Sequence, residues 1–223
     1  MRSRSVSDRI LCGTLEVPAP PALLLADWER DIALQLQLEA GDVEPLSLAR
    51  ARLRWPDYKQ LLQAAADWAG SLGLPGVLAA SDIALMACRG ARYHHDGVLY
   101  GHAAFCNLFL SEDKGLDLFF PSAGQRIPLV RGTAVIFDTC QPHAVLRRGS
   151  SGFAAADFLP AQDCSQVFLS WELSIEDVQV SQALGISFDM DPAAAALLDQ
   201  GQLHLNGAPA VTCAASGRWS PAA

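Results

Sequence analysis

The feature that most constrains the fold is a run of short, strand-like segments between residues 83 and 173. Each segment is rich in Val, Ile, Leu or Phe and is bounded by Gly, Pro, Ser or Asp, the pattern of β-strands joined by tight turns. Such strands favour a double-sheet jelly roll or a small barrel, because both arrangements protect the edges of their sheets. The predicted strands span residues 83–88, 91–96, 103–110, 116–120, 125–129, 133–137, 144–147 and 167–173.

Two amphipathic helices are predicted before the strands. In residues 22–38, apolar side chains recur at steps of three and four with acidic residues between them, and residues 57–72 show the same pattern more clearly. Pro56 suits the first turn of the second helix, and Gly73 suits the left-handed position just past its end. The first 21 residues carry charge and proline without periodicity, so we expect a leader there that is either loose or ordered by contact with the rest of the chain.

The tail after the strands favours a short helix over residues 191–198 and a hairpin over residues 202–211. A chain of 223 residues is long enough for one large domain and short for two separate cores. We therefore expect one structural domain, mainly β with flanking helices. Its parts are the leader and bracing helices (1–80), the jelly-roll core (81–175) and a C-terminal extension (176–223).

Charge and composition exclude several classes of binding partner for such a domain. The chain has 24 acidic and 16 basic side chains, a net charge of −8, so it lacks the basic surface that binds a nucleic acid backbone. No apolar run approaches the ~18 residues of a membrane span. Six scattered cysteines and the lack of an apolar signal-type segment favour a reducing compartment. We expect a soluble cytoplasmic protein that binds neither nucleic acid nor membrane.

Three side chains form the most informative pattern in the sequence. His94 and Asp96 are two residues apart on a predicted strand, and side chains at i and i+2 share a face. Together they can bind a divalent metal if a third ligand comes from another strand. His143 is the candidate, because it follows a predicted buried strand and a turn that contains Pro142. Two histidines and one carboxylate leave about three open positions on an octahedral ion, as in non-haem Fe(II) oxygenases.

Residues 83–173 resemble the double-stranded β-helix core of the 2-oxoglutarate and Fe(II)-dependent oxygenases, especially the prolyl-hydroxylase-like branch. The resemblance covers less than half of the chain. It implies that His94, Asp96 and His143 bind the iron, that 2-oxoglutarate chelates it through the keto-acid end, and that O2 is the other co-substrate. It also implies helices that brace one face of the sheet. The matching segments are RYHHDG (92–97), AFCNLFLSED (104–113), GLDLFFP (115–121), PLVRGTAVIFD (128–138) and PHAV (142–145).

The sequence departs from this family where the distal carboxylate of 2-oxoglutarate is held. Most members place an arginine or lysine at the start of the last core strand, a charge-assisted contact, but residues 165–171 contain no cation. Counted alternately from His143, Arg147 points inward and is one candidate for this anchor. An inserted loop over residues 149–164 lets Arg148 take the role instead.

Two further residues are candidates for ligand contacts. Asn107 lies on the presumed inner face of an apolar strand, where a polar side chain needs a partner, so we predict that it contacts the co-substrate. Arg92 shares the predicted face of His94 and Asp96, and it competes for the anchoring or substrate-binding role.

We expect an Fe(II)- and 2-oxoglutarate-dependent dioxygenase that hydroxylates a small molecule, an amino acid or a peptidyl side chain. One alternative is a cupin-like metalloenzyme that uses the same barrel without a keto acid, although such proteins tend to carry HxH and a glutamate. The other is a catalytically silent jelly roll that serves as a binding module, which the missing cation keeps open. Residues 149–164 are rich in small side chains and are predicted to form a mobile lid beside the metal.

Overall fold

The computed structural model describes residues 4–159, 162–188, 204–205 and 208–221. The first predicted helix is present, and its last part, Asp31–Leu36, is π-helical. The second predicted helix is confirmed within one residue at each end. The α-helices in the described residues are α1 (Ala22–Arg30), α2 (Leu48–Arg54), α3 (Tyr58–Ser71), the single turn α4 (Gly97–Tyr100) and α5 (Val178–Leu184).

All of the predicted core strands are present, as β3 to β10, with ends that differ from the prediction by at most two residues. The strands in the described residues are β1 (Ile10–Thr14), β2 (Val43–Leu46), β3 (Asp82–Cys88), β4 (Ala91–His94), β5 (Ala103–Phe109), β6 (Leu116–Phe120), β7 (Gln125–Pro128), β8 (Thr133–Asp138), β9 (His143–Arg147), β10 (Gln166–Ser174), β11 (His204–Leu205), β12 (Ala208–Thr212) and β13 (Trp219–Pro221).

The core strands form two antiparallel sheets that pack face to face. The major sheet has the order β1-β8-β5-β10-β3-β2, and the minor sheet has the order β4-β9-β6-β7. Apolar side chains of both sheets meet in one core, for example Leu118 and Val145 of the minor sheet with Phe109 and Phe168 of the major sheet. This is the double-stranded β-helix, so the predicted fold class is confirmed.

The major sheet is buried on both faces, because its strands alternate between two apolar layers. On β10, Leu169, Trp171 and Leu173 pack in the layer that also contains α1, α3 and α5. The intervening side chains face the minor sheet, and Phe168 lies in the core between the sheets. The predicted bracing helices therefore cover the outer face of the major sheet and leave its inner face to the site.

Of the two alternatives for the beginning of the chain, the structure has the leader that is ordered by contact. β1 pairs antiparallel with β8 and thereby covers one edge of the major sheet. The contact continues beyond the strand, where the Leu15 N–H donates to the Gly132 carbonyl at 2.8 Å. β2 and α2 were also not predicted. β1 and β2 are short and form by pairing with strands that are distant in the sequence, which local periodicity does not reveal.

The hairpin predicted in the tail is present, whereas α5 and β13 were not predicted. β11 and β12 pair antiparallel as a hairpin, and β13 pairs with β12. The predicted helix over residues 191–198 lies outside the described residues. Among the residues that are described, none of the helices has the length and hydropathy needed to span a membrane.

The close contact between the leader and β8 predicts a steric effect at Gly132. This glycine has φ +89°, and a Cβ atom on it would lie 2.1 Å from the Leu15 carbonyl oxygen. Gly149 has φ +83° with no atom within 4 Å, so it is a matched control. Gly149→Ala should cost about 1–2 kcal/mol, the cost of a left-handed residue. Gly132→Ala should lower the free energy of unfolding by about 1–3 kcal/mol more.

Urea denaturation of both variants measures this difference. Equal losses in Gly132→Ala and Gly149→Ala would show that the leader does not pack against β8 as described.

Candidate metal centre

β4 and β9 lie side by side in the minor sheet and place two histidines opposite each other. His94 and His143 are cross-strand partners, and their ring centroids are 4.4 Å apart. A β-bulge between Ala91 and His94 lets both of these residues line the interior, although they are three apart. The bulge leaves Arg92 exposed, with its guanidinium 5.2 Å from the Phe153 ring centroid. The prediction that Arg92 shares the face of His94 is therefore wrong.

Asp96 joins the histidines from a turn and not from a strand. β4 ends at His94, and Asp96 precedes α4, where its backbone N–H donates to the Thr139 carbonyl at 2.8 Å. Its Oδ1 lies 3.7 Å from Nε2 of His94, and its Oδ2 lies 3.6 Å from Nε2 of His143. The ligand atoms of the three residues all lie within 4.8 Å of one another. At this spacing the three residues can together hold one metal ion.

Backbone hydrogen bonds determine which nitrogen of each histidine is free. Nδ1 of His94 is 2.6 Å from the Arg92 carbonyl oxygen, and Nδ1 of His143 is 2.9 Å from the Gln141 carbonyl oxygen. A carbonyl oxygen only accepts, so both Nδ1 atoms carry a proton, and Nε2 is the nitrogen of each ring that faces Asp96 and can bind a metal. Metal-binding histidines have this outer hydrogen bond in most proteins.

Burial favours the neutral forms of both His143 and Asp96. Burial, and then the neighbouring His94, hold the pKa of His143 well below its usual value, so this imidazole is neutral at pH 7. Burial also raises the pKa of Asp96, while His94 and His95 act in the opposite direction. A divalent cation between the three side chains would favour the ionised carboxylate and the neutral imidazoles that ligation requires. The donor set therefore fits a transition metal such as Fe(II).

A buried ion pair shapes the turn between β8 and β9 that precedes His143. Asp138 is fully buried and accepts hydrogen bonds from the backbone N–H groups of Ser7 and Cys140, at 2.8 and 2.9 Å. Its carboxylate also pairs with the Arg4 guanidinium, whose Nη1 is 2.8 Å from Oδ2. The leader thus helps to position His143. No sequence signal pointed to Arg4, because the leader has no periodic pattern.

The three side chains face a cavity of about 360 Å³ between the sheets, within the usual range of small-molecule sites. Most of its walls are apolar. The polar side chains that line it, besides the three candidate ligands, are Asp82, Tyr100, Asn107, Ser170 and Glu172. The larger apolar side chains include Met86, Phe105, Phe109, Leu118, Phe137 and Phe168.

Asn107 is the predicted co-substrate contact that lies in this cavity. It is buried, with 8% of its surface exposed, and its Oδ1 has no hydrogen-bond partner within the described part of the chain. A buried carbonyl oxygen without a partner is costly, so a ligand in the cavity would relieve that cost. The contact between Asn107 and the co-substrate stays a prediction.

The structure does not bring the two predicted anchor arginines to the cavity. Arg147 is exposed at the end of β9, four residues from His143, which is about 13 Å along a strand. The alternation of side chains along the strand predicted the inner side for Arg147. It did not show how far along the strand Arg147 lies from His143. Arg148 makes two contacts with Asp113, at 2.8 and 2.9 Å, and one with Asp117 at 3.0 Å. Its guanidinium is therefore already paired outside the cavity.

The predicted lid also lies away from the cavity. None of the described residues in 149–159 and 162–164 lines it. Instead, Arg89 donates hydrogen bonds to the Phe158 and Leu159 carbonyl oxygens, at 3.2 and 2.8 Å, and the Phe158 side chain is buried. The small residues suggested mobility, but these hydrogen bonds and the Phe158 side chain, which packs in the core between the sheets, hold the segment in place.

Sequence reasoning missed the two carboxylates of the cavity, Asp82 and Glu172. A signal for Glu172 was present, because Ser170 and Glu172 alternate with Leu169, Trp171 and Leu173 on one predicted strand. Polar side chains on a single face of an otherwise apolar strand indicate a ligand cavity or solvent on that face.

No protein-family model matches the chain, and no curated protein matches it. Several solved structures do. A prolyl-4-hydroxylase from Pseudomonas putida is 18% identical over 74% of this chain and 92% of that chain, with a TM-score of 0.41. A prolyl hydroxylase from Trichoplax adhaerens, in complex with a hypoxia inducible factor oxygen degradation domain peptide fragment, is 10% identical over 78% and 86%, with a TM-score of 0.43.

EvdO2 from Micromonospora carbonacea var. aurantiaca, complexed with 2-oxoglutarate, is 12% identical over 86% of this chain and 90% of that chain, with a TM-score of 0.41. Likenesses at this level decide neither the activity nor the ligands of this chain. Its own fold and converging side chains define a double-stranded β-helix protein with a candidate mononuclear metal centre.

The geometry predicts one divalent ion per chain. His143→Ala should weaken Fe(II) binding by more than about 100-fold, because losing a direct ligand costs more than losing an outer partner. His102→Ala is the control, since His102 is exposed and pairs with Glu172 outside the triad. Anaerobic equilibrium dialysis with iron analysis measures both variants. Equal affinities in His143→Ala and wild type would contradict the site.

The Arg4–Asp138 pair predicts a large effect on stability. Arg4→Met leaves a buried carboxylate without its counter-charge and should lower the free energy of unfolding by about 3–5 kcal/mol. Arg131→Met removes the exposed pair with Glu112 and should cost about 0–1 kcal/mol. Urea denaturation compares the two. A loss in Arg4→Met no larger than that in Arg131→Met would refute the positioning role.

Proposed function

We propose that this protein is an Fe(II)-dependent oxygenase that consumes a 2-oxo acid and hydroxylates a small molecule, an amino acid or a peptidyl side chain. One observation carries the proposal: His94, Asp96 and His143 converge at the wall of a cavity with free ligand atoms on one side. Two histidines and a carboxylate in this arrangement leave coordination positions open for a chelating acid and for O2.

The residues of this chain would do three things in the reaction. The triad would hold the ion, with both imidazoles fixed as Nε2 donors by the backbone carbonyls of Arg92 and Gln141. The aromatic walls would exclude water from the reacting groups. A ferrous ion bound there supplies the oxygen-activating chemistry.

The resemblance implies 2-oxoglutarate as the co-substrate, but only one of the two ends of this molecule fits the cavity. The keto-acid end needs two open positions on the metal, which the triad leaves. The other end carries a second carboxylate, and the described residues that line the cavity include no arginine or lysine. A buried carboxylate without a counter-charge is costly.

The missing cation also favours the second candidate function, a metalloenzyme of the same fold that uses no keto acid. The cytoplasmic location and the lack of nucleic acid partners stay predictions.

A decarboxylation assay tests the proposed function. The Fe(II)-loaded protein is mixed in air with one of two 2-oxo acids labelled with ¹⁴C at C1. These are 2-oxoglutarate and 5-methyl-2-oxohexanoate, which has an isopropyl group in place of the distal carboxylate. The released radioactive CO2 and the uptake of O2 are both measured. We expect iron-dependent release with at least one acid, because uncoupled turnover needs no prime substrate. The release should fall to background in His143→Ala and persist in Arg131→Met, because Arg131 pairs with Glu112 outside the cavity.

Each other outcome points to a defined alternative. O2 uptake without decarboxylation of either acid would favour the metalloenzyme that needs no keto acid. Stoichiometric iron without O2 uptake or decarboxylation would indicate a binding module.

A further inference from the structure

The inner face of the major sheet presents its side chains to the cavity in three rows. Strand register defines each row, because residues paired on β3, β10 and β5 lie beside one another. Asp82 is exposed and the Glu172 side chain is 33% exposed, so their row lies at the mouth. The mouth row is Asp82, Glu172 and Phe105, the middle row is Ala84, Ser170 and Asn107, and the inner row is Met86, Phe168 and Phe109.

The triad lies at the level of the mouth row. Phe137 pairs with Phe105 in that row, and its ring centroid is 4.9 Å from that of His143. A ligand held by the triad therefore meets carboxylates on the mouth side and aromatic side chains on the inner side.

The basic side chains nearest to the core form their hydrogen bonds outside the cavity. Among the described residues, no arginine or lysine lines the cavity. Arg89 donates to backbone carbonyl oxygens of Phe158, Leu159 and Gln162, and Arg148 pairs with Asp113 and Asp117 on the outer side of the minor sheet.

The middle row supplies only neutral polar groups. Asn107 and Ser170 are directly paired across β5 and β10, and they can form hydrogen bonds to an uncharged ligand or to one carboxylate. Neutral hydrogen bonds are about half as strong as charge-assisted ones, so they do not replace a guanidinium. Asp82 and Glu172 at the mouth add repulsion toward any second negative charge.

We infer that this cavity selects a 2-oxo acid whose side chain carries no charge, in preference to 2-oxoglutarate. The inference rests on the proposed function. Met86, Phe109 and Phe168 offer an apolar surface to such a side chain, whose burial is favourable. The carboxylate next to the keto group would be neutralised by the metal, whereas a second carboxylate would have no counter-charge.

Binding of two acids that differ only at the distal end tests this inference. In 5-methyl-2-oxohexanoate an isopropyl group replaces the terminal carboxylate of 2-oxoglutarate, with the same number of heavy atoms. Each acid is titrated anaerobically into the Fe(II)-loaded protein, and formation of the chelate is followed by its visible absorption. We expect 5-methyl-2-oxohexanoate to bind at least about tenfold more tightly.

Two cavity variants should shift this preference toward 2-oxoglutarate. Ser170→Arg introduces a cation in the middle row and should change the ratio of the two dissociation constants by at least about tenfold. Ser174→Arg places the same cation on the same strand at an exposed position outside the cavity, and it should leave the ratio unchanged. Glu172→Gln removes one mouth charge, is conservative in shape, and should tighten 2-oxoglutarate by about threefold or more.

The outcomes separate the inference from the proposed function. Tighter binding of 2-oxoglutarate than of 5-methyl-2-oxohexanoate would overturn the inference and leave the proposed function intact. Failure of both acids to form a chelate, with one Fe(II) bound per chain, would overturn the proposed function and the inference with it. An unchanged ratio in both Ser170→Arg and Glu172→Gln would show that cavity charge does not select the acid.

Discussion

The site depends on the direct pairing of His94 with His143 across β4 and β9. This register brings together two imidazoles that are far apart in the sequence. It holds because the strands are constrained on both sides of the pair. A β-bulge adjusts β4 before His94, and the turn before β9 is tied to the leader through Arg4 and Asp138. Asp96 then needs only a short turn to complete the set.

The cavity exists because the major sheet has two different faces. Its outer face is mainly apolar and packs against the helices, with the paired Asp138 as an exception, and the burial of this face stabilises the fold. The inner face is mixed, with aromatic side chains in the inner row and polar side chains in the middle and mouth rows. A sheet stabilised on its outer face can tolerate a partly polar inner face, including Asn107, whose Oδ1 has no hydrogen-bond partner among the described residues.

The basic side chains near the core lie outside the cavity, whereas acidic side chains line it. Arginines are numerous in the chain, yet those near the core pair with carboxylates or carbonyl oxygens outside the cavity. The lining of the cavity includes three carboxylates, Asp96 beside the histidines and Asp82 and Glu172 at the mouth. A cation at the triad would neutralise part of this negative charge, so the metal and the inner polar groups are electrostatically linked.

The core strands and the triad could be predicted from the sequence because their signals are local. β6 is bounded by Gly115 and Pro121, and both of its ends were predicted correctly. β1 could not be predicted, because it forms only by pairing with β8. The outward turn of Arg92 depends on a bulge, and the exposure of Arg147 depends on its distance along β9. Both are properties of three-dimensional register, which residue alternation alone does not contain.

The most direct test of the account is an anomalous-scattering map at the iron edge, from crystals grown without oxygen in the presence of Fe(II). The geometry of the triad predicts one iron per chain, in contact with Nε2 of His94, Nε2 of His143 and a carboxylate oxygen of Asp96. An iron bound elsewhere, or ligated through Nδ1 of either histidine, would contradict it.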